Sequence, residues 1–154
     1  MNRIIRRCRP DSSISLAFGG LILMGLGLYF IFLRPPLLPE DPRFMGTSLA
    51  TIHASVPGLL TWLSRVYWVL GGFMFTTGLL TGYLALSSFR QRVRGAAAMA
   101  ALTGLSSIGW MATVNFMIAS DFTWLLLAFT FPWPLALMLY WIEGAQRQRA
   151  ALRE

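Results

Sequence analysis

The chain has 154 residues, 56% of them hydrophobic and 12% charged, with 13 basic residues against six acidic ones for a net charge of +7. Soluble domains carry about 25% charged residues, so an ordinary soluble enzyme is excluded, and the length allows one domain. Every basic residue is Arg, and most stand in three clusters beside long apolar runs, a pattern of membrane flanks rather than of a nucleic-acid-binding face.

The first cluster is Arg3, Arg6, Arg7 and Arg9, with the lone Cys8 among them. One cysteine forms neither an internal disulfide nor a Cys-x-x-Cys pair, which excludes quinone-linked thiol oxidoreductases of the small membrane type. The sequence from Ile14 to Leu33 then runs for 20 residues without a charge, about 30 Å of helix and the thickness of a bilayer core. It exceeds a signal-peptide core of roughly 7 to 15 residues and lacks a small-x-small cleavage site, so it reads as an uncleaved anchor.

Residues 34 to 65 form an outer loop. Four prolines among residues 34 to 42 argue against regular helix and for a stiff, extended piece. Leu49, Ile52, Val56, Leu59, Leu60 and Leu63 then recur at helical spacing, with Thr47 or Ser48 as a cap and Ser55 with Pro57 as a second start. This stripe is expected to lie on the outer membrane surface or over the bundle mouth.

Further charge-free runs cover 66–89, 95–120 and 122–142. Only Asp121 separates the last two, which predicts a tight antiparallel hairpin. Pro132 and Pro134 predict a kink or break in the fourth span. The expected fold is therefore an all-α integral membrane protein, a four-helix antiparallel bundle with an ordered extracytoplasmic loop. Gly78 and Gly82 on span two, and Ala96, Ala100 and Gly104 on span three, are the expected helix contacts, internal or in a homodimer. Trp62, Trp68, Trp124 and Trp141 fall near span ends, as an interfacial belt requires.

Arg near span ends is retained on the cytoplasmic side. The N-terminal cluster, Arg90, Arg92 and Arg94, and the tail Arg147, Arg149 and Arg153 therefore put both termini in the cytoplasm and the 34–65 loop outside. In a bacterium this is the inner membrane with the loop in the periplasm. The basic ends are expected to attract anionic lipid head groups.

No charge lies within the four uncharged runs. Small multidrug exporters need an embedded Glu, and bis-His membrane cytochromes need several histidines where this chain has only His53. Asn115 is expected to make an interhelical hydrogen bond, with a ligand-facing role as its alternative. The loop groups Arg34, Glu40, Asp41, Arg43, His53 and Arg65 and the hairpin's Asp121 are the concentrated polar set. One His and two neighbouring carboxylates fall short of a usual metal site, so the expectation is a loop held by Arg–carboxylate pairs, without metal, cofactor or catalytic residue. An enzyme using His53 is the minor alternative.

The run Arg34-Pro35-Pro36-Leu37-Leu38-Pro39-Glu40-Asp41-Pro42-Arg43-Phe44-Met45-Gly46, followed by the four-span layout and the stretch from Ser107-Ile108-Gly109-Trp110 to Asp121-Phe122, resembles a group of small bacterial inner-membrane proteins without an assigned function. The overall shape is also similar to four-helix DoxX-like membrane proteins. The resemblance implies the topology and no catalytic residues. The leading expectation for function is a non-enzymatic accessory or structural subunit that packs against a membrane-protein partner. The alternative is a binder or carrier of a lipid or quinone-like amphiphile, with a gap beside Pro132 and Pro134 and an anionic head group held by Arg34, Arg43 or Arg65.

Overall fold

A computed structural model describes residues 11–152. Arg3, Arg6, Arg7, Cys8, Arg9 and Arg153 lie outside the described residues. Four helices are long and apolar enough to cross a membrane: Asp11–Phe32, Leu59–Phe89, Ala96–Met117 and Thr123–Ala151. The described chain is all-helical, without strands.

In chain order the elements are α1 (Asp11–Phe32), α2 (Glu40–Phe44), α3 (Leu49–Ser55), α4 (Leu59–Leu84), α5 (Ala96–Gly104), α6 (Trp110–Met117), α7 (Thr123–Thr130) and α8 (Pro132–Ala151). A π-helical turn, Ala85–Phe89, ends the second span, and another, Leu105–Gly109, interrupts the third between α5 and α6. The fourth span breaks at Phe131, where Pro132 and Pro134 open α8 and supply no N–H to the preceding turn.

The helices do not end where the uncharged runs end. The second starts at Leu59 rather than Val66, and the fourth runs to Ala151 rather than Ile142. Charge does not stop a helix: Arg65 lies inside α4 with its guanidinium 4.1 Å from the Trp68 ring centre, and Glu143 lies inside α8. The fourth helix thus contains an ionisable residue that the uncharged run stopped short of.

The loop also departs from the expected extended form. Glu40–Phe44 makes one helical turn with Pro42 at its third residue, where a missing N–H leaves no helical bond unmade. Ser48 caps α3 through its hydroxyl, which accepts the Thr51 N–H at 3.2 Å. Ser55 ends α3 instead of starting a helix, and α4 begins only after Val56-Pro57-Gly58. Along the predicted apolar stripe Ile52 is buried, whereas Leu49 and Val56 are exposed.

Packing is led by α1, which lies along α4 for most of its length and against α8 at the end that carries the termini. A glycine seam permits this approach. A Cβ on Gly20 would lie 2.7 Å from the Gly78 carbonyl oxygen, and one on Gly27 would lie 2.7 Å from that of Gly71. Close backbone approach of this kind is how helices associate without a hydrophobic driving force between them. Gly82 belongs to the seam through its backbone, which faces Gly20, while its own Cβ position is open.

On the third span Ala96, Ala100 and Gly104 form a buried face toward α8. Gly104 lies directly against the Trp133 indole, whose other side meets Gly19. Trp62, Trp68, Trp124 and Trp141 are all exposed.

Candidate functional site

At the terminal end the bundle is closed, with Leu16, Phe89, Ala100, Trp133 and Ala136 fully or almost fully buried in one core. At the loop end it splits. There α6 packs on α7 and α1 packs on α4, but α6 makes no substantial contact with α4. Two backbone interruptions flank the α6–α7 hairpin, the π turn between α5 and α6 and the Phe131–Pro132 step between α7 and α8, and these are the places where the hairpin can turn away from α5 and α8. Inserted residues and prolines are the usual causes of such redirection, and π turns are frequent at functional sites.

The split encloses a cavity of about 720 Å³, within the usual range of about 300–1,000 Å³ for small-molecule sites. One wall is the loop-end half of α1 and α4, including Leu26, Leu70 and Met74, and the other is α6 and α7, including Met111, Val114 and Leu125. The hydroxyls of Thr77, Ser106 and Ser107 also lie in the lining, yet each donates to a carbonyl one turn back in its own helix. Spent in this way, they leave the deep wall apolar in character.

Polar groups collect at the loop end. Arg34 and Asp41 line the cavity there with Nη2 to Oδ2 at 3.9 Å. The Asp41 carboxylate also accepts the Leu38 N–H at 2.8 Å, and Arg34 donates to the Pro35 carbonyl at 3.2 Å. The guanidinium centre stands 3.7 Å from the Tyr67 ring centre and 5.2 Å from that of Phe30. Those rings meet edge to face at 5.9 Å.

Asn115 lines the cavity from α6. It does not bridge two helices, because its Nδ2 donates to Met111 of its own helix at 2.9 Å. A short polar side chain finds the carbonyl four residues back without needing a neighbour.

The segment from Arg34 to Gly46 forms a strap between the two walls. Ser120 donates to Glu40 Oε1 at 2.9 Å, a buried bond, and Arg43 pairs with Asp121 at 3.2 Å in the open. A hydrogen bond to a buried charged group contributes about 1.5–3 kcal/mol, an exposed ion pair about 0–1 kcal/mol, so Glu40–Ser120 is the main fastening. The expected Arg–carboxylate pairing therefore holds for Arg34–Asp41 and Arg43–Asp121, while Glu40 takes a serine instead.

No family model, curated protein or solved structure matches this chain. The geometry alone therefore carries the functional argument. His53 is exposed in the last turn of α3 and belongs to neither the cavity lining nor the strap fastening. Among the described residues no group of three or more metal-ligating side chains converges. The cavity also lies away from the expected gap: Pro132 and Trp133 are buried and do not line it.

Sequence reasoning missed a second polar cluster, at the terminal end. Glu143 accepts the Ser12 N–H at 2.9 Å, the Ser12 hydroxyl at 2.8 Å and Arg92 Nη2 at 3.0 Å. Arg92 also donates to the Tyr140 carbonyl at 2.7 Å. The signal available in the sequence was Glu143 itself, an acidic residue directly at the end of the apolar run 122–142.

Proposed function

We propose that this protein is a membrane-embedded binder of an amphiphile, which seats its apolar tail in the cavity and its head beneath the strap. The observation that carries this reading is a large cavity that is apolar along its depth, polar at one end, and bordered by α4 and α6, which make no substantial contact with each other. The lateral gap between α4 and α6 offers a route from the bilayer. In the orientation favoured by the Arg clusters, the protein is a multi-pass protein of a bacterial inner membrane with cytoplasmic termini, and the cavity faces the outer leaflet.

The accessory-subunit reading draws on small-residue ridges in uncharged runs without an ionisable group. Those ridges are occupied within the chain, where Gly20 meets Gly78, Gly27 meets Gly71 and Gly104 meets Trp133, so they support a partner less than the cavity supports a ligand.

Mild extraction followed by native mass spectrometry tests the proposal. The wild-type protein is expected to carry an amphiphile, and Val114→Trp with Leu125→Trp, which fill the cavity from one wall, is expected to lose it. Equal retention by the filled variant, or a bare wild-type protein, overturns the reading.

A further inference from the structure

The polar end of the cavity discriminates between amphiphiles by charge, an inference that rests on the amphiphile reading above. The Arg34 and Asp41 side chains are only 10% and 18% exposed and stand as a pair. Their charges cancel. A phosphate head placed there meets the Asp41 carboxylate together with the Arg34 guanidinium and gains little net attraction, whereas phosphate recognition normally recruits unopposed or clustered Arg. Among the described residues no second cation lines the cavity. Arg43 is engaged by Asp121, Arg65 lies over Trp68, and neither lines the cavity.

What this end offers instead is aromatic surface and hydrogen-bond donors. Tyr29, Phe30 and Tyr67 contribute rings around Arg34, and Phe122 contributes another from α7. Asn115 spends one amide hydrogen on Met111, which leaves a second hydrogen and the amide oxygen for a ligand. Rings that stack and N–H groups that donate match an uncharged, planar head with carbonyl acceptors. The apolar depth matches a hydrocarbon tail.

We propose that the cavity takes an isoprenoid quinone, its ring at the Arg34–Asn115 end and its tail along the gap between α4 and α6. The occupant differs from the anionic lipid expected from the Arg count, because Asp41 neutralises the arginine that faces the cavity.

Competition in nanodiscs tests this, with equal amounts of a short-tailed isoprenoid quinone, a phosphatidylglycerol and a diacylglycerol, read by native mass spectrometry of the released protein. Wild-type protein is expected to retain the quinone over either lipid by about tenfold or more. Asn115→Leu is expected to lower quinone retention about three- to tenfold, the effect of one lost hydrogen bond. Asp41→Asn keeps an acceptor for the Leu38 N–H but leaves Arg34 uncompensated, so it is expected to raise phosphatidylglycerol retention. Preference of the wild type for phosphatidylglycerol or diacylglycerol overturns the quinone assignment and leaves the amphiphile reading standing. An unchanged lipid profile in Asp41→Asn overturns the charge-balance argument. A folded wild type that holds none of the three overturns both proposals.

Discussion

Glu143 joins parts of the chain that are 131 residues apart in sequence. Its carboxylate accepts the Ser12 N–H and the Ser12 hydroxyl in the first turn of α1, where the helix dipole favours negative charge, and it compensates Arg92 in a partly buried setting. Arg92 itself has φ of 58°, a left-handed conformation that costs a non-glycine residue about 1–3 kcal/mol and persists only where surroundings fix it. The Tyr140 carbonyl and Glu143 supply that fixation. Glu143→Ala should therefore destabilise the protein by on the order of 2–4 kcal/mol, since it leaves Arg92 unpaired and α1 uncapped. Thermal unfolding in detergent measures this, and Arg92→Met combined with Glu143→Met should recover part of the loss. The sequence could not disclose the knot, because Ser12, Arg92 and Glu143 each read locally as an ordinary span boundary. Asn115 misled in the opposite sense: its in-helix partner was one turn away and needed no second helix.

Among the elements, the pairing of α1 with α4 depends on where glycines fall, and this separates two positions that look alike in sequence. Gly78 and Gly82 form one Gly-x-x-x-Gly motif, but a Cβ at Gly78 would meet the Gly20 carbonyl oxygen at 2.5 Å and the Met24 nitrogen at 2.6 Å, while one at Gly82 would meet nothing within 4 Å. Backbone cannot move aside cheaply, so Gly78→Ala should cost about 1–3 kcal/mol by overpacking. Gly82→Ala should be neutral or stabilise by up to about 1 kcal/mol through helix propensity. Unfolding midpoints of the two variants in the same detergent check the contrast. The four long apolar helices and their order were legible from charge-free length, and Gly78 was legible as a small residue at helical spacing. Gly20, Gly27 and Gly71 were not singled out, because their seven-residue spacing shows its meaning only once α1 and α4 are seen together. The π turns have no comparable signature, since Gly104 to Gly109 reads as uninterrupted helix.

At the scale of the whole molecule, the two ends differ in charge. Residues 34–65 and Asp121 sum to zero, whereas the described charged residues of the terminal end, Asp11, Arg90, Arg92, Arg94, Glu143, Arg147 and Arg149, sum to +3. In the proposed orientation that end is the cytoplasmic one, since basic span flanks are retained there. A reporter enzyme active only in the periplasm should therefore give signal when fused after residue 45 and none after residue 92, and the reverse pattern would invert the orientation. The cavity was not legible at this scale. Its apolar walls look like lipid-facing helix, and the hairpin that forms one of them is flanked by two backbone interruptions in different spans. Only the Phe131–Pro132 break had a sequence cause, and the gap it helps to open lies toward the loop end from the prolines themselves.

The indole of Trp133, wedged between Gly19 and Gly104, has a consequence for the proposed amphiphile binding. With the terminal end filled by that contact, the proposed occupant would equilibrate with a single monolayer and leave through the side it came from. Such a protein would work as a reservoir whose filling follows the composition of one leaflet. Turning it into a conduit would require the indole to leave its glycine seats, so the same close contact that compacts the bundle would also keep the two leaflets separate.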